Sequence, residues 1–187
     1  MDANRAALIA ALWCVLHVGQ ENTGSAMRRR DDKPAALDHA LYEIVMLTNA
    51  LHEVCRPGLP PHHGSGWLEV FGIHARNLNE FFAPKDFGRA YMKPSHFVTW
   101  TYTYVFDKDL ARRASSQVTH LTYDREKPEE KTQWPIEPIF KALRKQSLAF
   151  LKAVAVDESL MKYGSNNLRT EELLVVLPRI RFPGDTV

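Results

Sequence analysis

The sequence predicts an all-α protein: a helical bundle of four main helices with an extra N-terminal helix and at most a minor β-ribbon. Three observations support this. Apolar residues recur at steps of three and four over long stretches, prolines and glycines divide these stretches, and only one segment alternates strongly like a β-strand. The chain has 187 residues, of which 45% are hydrophobic and 25% charged. That composition is ordinary for a soluble globular protein.

The clearest helical pattern is WLEVFGIHARNLNEFF, residues 67–82. At about 100° per residue, three phenylalanines and a tryptophan share one broad face, and His74 lies near its centre. Arg76 falls on the opposite, polar face. Full burial of each large apolar side chain contributes about 1.5–3 kcal/mol, so this helix is expected to centre the core. His74 is then expected to be a buried structural histidine, for which the candidate hydrogen-bond partners are Asn77, His120, Thr122 and Tyr123.

The other three main helices are predicted from the same periodicity. Residues 36–56 form one helix, which ends at Pro57. Residues 107–125 form another, for which Asp107 is a good N-cap. The last begins at about Trp134-Pro135 and continues to about residue 156. Its expected inward positions are Ile136, Ile139, Phe140, Leu143, Ser147, Phe150 and Val154.

The bundle domain is therefore predicted over residues 36–156, between an N-terminal apolar helix with its linker (1–35) and a mixed C-terminal tail (157–187). The apolar run of residues 6–18 falls short of the roughly 18 residues that span a bilayer, so no membrane segment is predicted. It could be a packed apolar helix, the core of a signal peptide, or sequence upstream of the true start.

The strand-like segment is FVTWTYTYVF, residues 97–106, in which aromatic residues alternate with threonine and valine. Two interpretations are open. The segment lies extended across the helices, or it pairs with residues 173–182 in a two-stranded ribbon. Core packing is the default role of its aromatic side chains.

Composition and missing motifs narrow the functional classes. A net charge of +2 is too small to predict a nucleic-acid or anionic-membrane surface by itself. The chain lacks the glycine-rich phosphate loops, the G-x-S-x-G nucleophile motif, H-E-x-x-H and CxxC. No cofactor is predicted. Cys14 and Cys55 belong to no pattern and are interpreted as reduced thiols, which favours a cytoplasmic protein.

One polar constellation remains, on the helix predicted over residues 107–125. Arg113 and His120 are seven residues apart, so they project within about 20° of each other, roughly 10 Å apart along the axis. Ser116 lies one turn before His120. A histidine can transfer a proton near neutral pH, and an arginine can hold a phosphate. This pair suits metal-independent cleavage of RNA.

The spacing Arg113-x6-His120 in a small all-α protein resembles the R-x(4–6)-H motif of the HEPN superfamily. Many members are bacterial ribonucleases, toxins or abortive-infection proteins. The resemblance implies an RNA substrate, His120 as general acid/base, Arg113 as phosphate contact, and a homodimer whose motifs face each other across a cleft. Ala114 departs from the family pattern, which usually has a polar residue after the arginine.

A second resemblance covers roughly residues 36–155. The pieces HARNLNEFF (74–82) and QVTHLTYDR (117–125), together with Trp134, are similar to a group of uncharacterised bacterial helical proteins. This resemblance implies no known activity.

Three functional hypotheses follow. In the first, a ribonuclease, the catalytic residues are His120 and Arg113, and the binding residues are His74, Asn77, Ser116 and Tyr123. The second is a non-catalytic interaction or dimerisation module, with residues 97–106 and 110–121 as its surface. The third is a metal-dependent bundle that uses His39, His62 and His63.

Overall fold

The described part of the chain is all-α, as predicted. The computed structural model describes residues 33–84, 92–102, 105–113, 135–161 and 164–182. These residues contain five α-helices, two 3-10 turns and no β-strand. The helices are α1 (Lys33–Val54), α2 (Pro61–Phe82), α3 (Lys108–Arg113), α4 (Ile136–Ala155) and α5 (Gly164–Val176), and the 3-10 turns are Pro94–His96 and Leu177–Arg179. Among the described helices, none has the length and apolar character needed to cross a membrane.

Helices α1 and α2 form a helical hairpin, because only residues 55–60 join them. Gly58 in this connection has a φ of 75°, a left-handed conformation that favours glycine. Helix α2 then begins with a proline in its first turn, where the missing N–H costs nothing. The expected inward positions of α1 are buried: Leu37, Leu41, Ile44, Thr48 and Leu51.

The start of α2 corrects the sequence analysis, which expected a loop before Trp67. The helix begins at Pro61, so His63, Gly64 and Gly66 belong to its first turns. Ser65 contributes there, because its hydroxyl donates to the Pro61 carbonyl at 3.1 Å. Two glycines lower intrinsic helix propensity, but tertiary packing and a well-placed proline override it.

The core is built around aromatic residues from α2, α4 and the segment between them. Phe82 and Phe150 are fully buried, and their ring centroids lie 6.2 Å apart. The Phe97 and Trp100 rings pack on Phe150 at 6.1 and 6.0 Å. The first interpretation of residues 97–106 is therefore confirmed for its described part, in which aromatic side chains pack on the helices and no strand forms. This segment cannot offer Phe97 or Phe106 to a partner, because both are buried.

Two hydrogen-bonding side chains attach this aromatic segment to the end of α2. Lys93 is buried, and its ammonium donates to the carbonyls of Glu80 and Ala83 at 2.6 and 3.0 Å. Asn79 accepts the backbone N–H of Phe106 at 3.2 Å. Lys93 thus supplies donors and positive charge where the carbonyls at a helix C-terminus lack partners.

Helices α3 and α4 begin as predicted. The Asp107 carboxylate accepts the backbone N–H of Leu110 at 2.7 Å, which confirms the predicted N-cap of α3. Beyond Arg113 the predicted helix lies outside the described residues. In α4, six of the seven expected inward positions are buried, namely Ile139, Phe140, Leu143, Ser147, Phe150 and Val154.

The C-terminal segment contains a helix that the sequence analysis did not predict. Helix α5 packs against α1 and α4 and places Leu173 in the core, followed by Leu177 in the adjoining 3-10 turn. Arg169 pairs with Asp38 of α1, and Arg144 of α4 donates to the Ile180 carbonyl at 2.6 Å. Residues 173–176 are helical, so the proposed strand partner for residues 97–106 was wrong.

Candidate functional site

The structure describes two of the six predicted site residues in full. His74 and Asn77 lie on α2. Arg113 is the last described residue of α3, and its side chain is outside the described set. Ser116, His120 and Tyr123 lie outside the described residues. The proposed pocket that joins these residues therefore stays a prediction.

His74 and Asn77 meet at a carboxylate from the neighbouring helix. The Nδ1 atom of His74 lies 2.7 Å from Oε2 of Glu43, and the Asn77 amide donates to the same oxygen at 3.1 Å. An ionised carboxylate only accepts hydrogen bonds, so Nδ1 of His74 must carry the proton. The neutral imidazole then has its lone pair on Nε2.

Helix geometry explains this convergence. His74 and Asn77 are three residues apart on α2, so they lie on the same side of the helix. Glu43 lies across the seam on α1, about 100° around the helix from the buried Ile44. That position is the margin of the apolar stripe of α1, where a polar side chain can reach an adjacent helix without entering the core.

The site lies at the surface end of the α1–α2 seam. The side chain of His74 retains 11% of its accessible surface, and that of Glu43 retains 25%. The Tyr42 ring meets the imidazole edge-to-face at 5.9 Å. Tyr42 and Ile73 are two of the few large apolar side chains exposed in the described chain. The imidazole therefore has an apolar rim and keeps contact with solvent.

The prediction of a buried, hydrogen-bonded His74 is confirmed, but the candidate partners did not include its actual one. Asn77, proposed as a partner, shares Glu43 with His74 instead of bonding the ring directly. The available signal was the charge of Glu43 at the margin of an apolar stripe, four residues after His39. The face of α1 that meets α2 could not be deduced from that charge alone.

The charges around the site are largely paired with each other. Arg76 of α2 donates from Nε to Glu80 at 2.8 Å, in an i to i+4 pair. Within the described ranges, no three histidine, cysteine, aspartate or glutamate side chains lie close enough together to hold a metal ion. His39 is exposed, and the side chain of His62 is not described, so the metal-dependent hypothesis gains no support.

The fold and the site define an all-α protein with a carboxylate-bound histidine on the seam of its first helical hairpin. No protein-family model, curated protein or solved structure matches the chain.

Proposed function

We propose that this protein is a cytoplasmic, metal-independent ribonuclease of the HEPN-like type that acts as a homodimer. His120 is the general acid/base, and Arg113 stabilises the charge on the phosphorus centre. The observation that supports this most is the position of Arg113 on α3, a helix whose start is fixed by the Asp107 cap. From there, the seven residues to His120 correspond to about two helical turns.

The remaining predicted residues have supporting roles in this proposal. Ser116 and Tyr123 contact the RNA from the same stretch of chain as His120. His74 and Asn77 contribute from α2, where Glu43 holds both side chains. RNA cleavage by this route needs a proton acceptor, a proton donor and a fixed positive charge, which histidine and arginine supply without a metal.

Substitution of the two motif residues tests the proposal. His120→Ala and Arg113→Ala should each lower the rate of RNA cleavage by about 10²–10⁴-fold, the usual contribution of an acid/base or charge-stabilising group. The matched controls are His39→Ala and Arg179→Ala, which alter exposed residues of the same types. All four variants should retain the helical circular dichroism of the wild type. Undiminished cleavage by His120→Ala, or a wild type that cleaves no RNA, refutes the proposal.

One observation favours the alternative, a non-catalytic interaction or dimerisation module. Tyr42 is 41% exposed and touches His74, and the neighbouring Ile73 is 40% exposed. Adjacent exposed apolar side chains are a feature of association surfaces. Under this alternative, Tyr42→Glu and Ile73→Glu weaken self-association or partner binding, measured by sedimentation equilibrium. Val156→Glu, at another exposed apolar position, is the control. If neither substitution changes the association state or any partner affinity, this surface has no such role.

A further inference from the structure

We propose that His74, held by Glu43, is the general base of the ribonuclease reaction, which leaves His120 as the general acid. This inference rests on the proposed function and extends it. Cleavage by the 2′-hydroxyl requires one group to accept the proton of O2′ and another to donate a proton to the departing O5′. Arg113 can do neither, because a guanidinium stays protonated in proteins.

The hydrogen bonding of His74 suits a base. Nδ1 donates to Glu43 at 2.7 Å, a short distance typical of a charge-assisted hydrogen bond. This contact fixes both the tautomer and the ring orientation, and it stabilises the imidazolium that forms when Nε2 takes a proton. Asn77 donates to the same carboxylate oxygen and so limits its movement. No described group forms a hydrogen bond with Nε2.

The surroundings of His74 also fit a catalytic role better than a purely structural one. A structural histidine in a core would use both nitrogens, because an unmet polar group in the interior costs free energy. Here one nitrogen is bonded and the side chain keeps 11% of its surface. Exposed Tyr42 touches the ring and provides an aromatic face on which an unpaired RNA base can stack.

The proposed step is a displacement at phosphorus. Nε2 of His74 takes the proton of the 2′-hydroxyl, and O2′ forms a bond to phosphorus. The bond from phosphorus to O5′ breaks, and the imidazolium of His120 gives its proton to O5′. The products are a 2′,3′-cyclic phosphate and a 5′-hydroxyl, with no net uptake or release of protons.

A substrate with a sulfur leaving group separates the base from the acid. The probe is a DNA oligonucleotide with one ribonucleotide, made with either oxygen or sulfur at the bridging 5′ position of the scissile phosphate. A thiolate departs without protonation, so loss of the acid no longer slows cleavage. We expect His120→Ala to be slow on oxygen and within about tenfold of wild type on sulfur. His74→Ala should be slower by about 10²–10⁴-fold on both probes.

Glu43→Gln tests the positioning role without removing much volume. Its amide oxygen can still accept from Nδ1, but the negative charge that stabilises the imidazolium is gone. We expect kcat on both probes to fall at least about tenfold, with KM unchanged. Glu158→Gln, at an exposed position, is the control. A merely structural Glu43 would change the melting temperature and leave kcat of the folded enzyme intact.

The outcomes separate the two proposals. A wild type that cleaves neither probe refutes the ribonuclease itself, and this inference with it. A wild type that cleaves the oxygen probe while His74→Ala matches it overturns only the role of His74. Rescue of His74→Ala by sulfur makes His74 an acid and overturns its assignment as a base. If His74→Ala loses its helical signal, Glu43→Gln decides, and an unchanged kcat then overturns the inference.

Discussion

Glu43 links two helices through one carboxylate oxygen. It accepts from His74 and Asn77 of α2, and its own backbone belongs to α1. If the carboxylate is removed, two donors lose their acceptor, and His74 is too buried for water to replace it fully. The cost of an unmet buried group exceeds the net value of the hydrogen bond itself.

Glu43→Ala is therefore expected to lower the free energy of unfolding by about 1–3 kcal/mol, since it leaves Nδ1 of His74 without an acceptor. Urea denaturation followed by circular dichroism measures this change. Glu158→Ala, on an exposed turn, is the control and should stay within about 0.5 kcal/mol of wild type. Equal stability of both variants would mean that the Glu43 contact does not stabilise the fold.

Glu172 on α5 shows a different consequence of burial. Desolvation raises the pKa of its carboxyl above the ordinary 4.5, although the Arg169 charge opposes this shift. Its Oε2 atom is buried and has no hydrogen-bond partner. A carboxyl whose pKa is raised by folding favours the folded state while it is protonated. That contribution is fully present below the ordinary pKa and is lost as the pH rises through the folded pKa.

Glu172→Gln should therefore leave stability nearly unchanged at pH 3 and raise it at pH 7, because only the ionised glutamate carries the desolvation cost. Melting temperatures measured across this range test the sign. The neighbouring, exposed Glu171→Gln provides the comparison. A stabilisation by Glu172→Gln that is larger at pH 3 than at pH 7 would contradict the account.

At the scale of the element, the end of α2 depends on a residue from the next segment. The chain leaves the helix at Ala83, and Lys93 returns to bind the carbonyls of Glu80 and Ala83. This contact stabilises the last turn of α2 and holds the following aromatic segment against it. The segment in turn places Phe97 and Trp100 on Phe150.

Lys93→Met preserves much of the aliphatic side chain and removes the donors. We expect a loss of about 1–3 kcal/mol in the free energy of unfolding, because buried carbonyls at a helix C-terminus lose their charged partner. Lys145→Met, at an exposed position of α4, is the matched control. A loss no greater than that of the control would show that water satisfies these carbonyls as well as Lys93 does.

The elements differ in how well the sequence predicted them, for physical reasons. Helix α4 was predicted closely, because its apolar residues repeat at helical steps and nearly all are buried. The start of α2 was misplaced, because Gly64 and Gly66 are poor helix formers and tertiary packing outweighs propensity. Helix α5 was not predicted, because its first half, GSNNLRTEE, has little apolar periodicity.

The candidate site was only partly predictable for a similar reason. The burial of His74 follows from its position on an apolar face, which is a property of one helix. Its pairing with Glu43 depends on which face of α1 meets α2, and sequence periodicity does not fix that choice. A pattern within one helix shows that a polar group needs a partner, whereas the packing of two helices selects the partner.

At the scale of the whole molecule, α5 belongs to the core. Leu173 is 1% exposed and lies in the same hydrophobic cluster as residues of α1, α2 and α4. The prediction of a domain confined to residues 36–156 assigned this segment to a tail. A helix that packs on two others contributes apolar burial that the remaining bundle cannot replace.

Leu173→Ala is accordingly expected to lower the free energy of unfolding by about 2–5 kcal/mol, the usual cost of such a truncation in a packed core. Val175→Ala, two residues further on and 49% exposed, should cost far less. Thermal and urea denaturation of both variants make the comparison. Equal small losses would mean that α5 docks on the bundle without stabilising it.

The most direct test of the central claim is the chemistry of the RNA ends that the protein produces. Purified wild-type protein is incubated with single-stranded RNA in excess EDTA, and the products are analysed by mass spectrometry. The account predicts cleavage that leaves 2′,3′-cyclic phosphate and 5′-hydroxyl ends, and loss of these products in His120→Ala. Intact RNA, or cleavage that EDTA abolishes and that leaves 3′-hydroxyl ends, would contradict it.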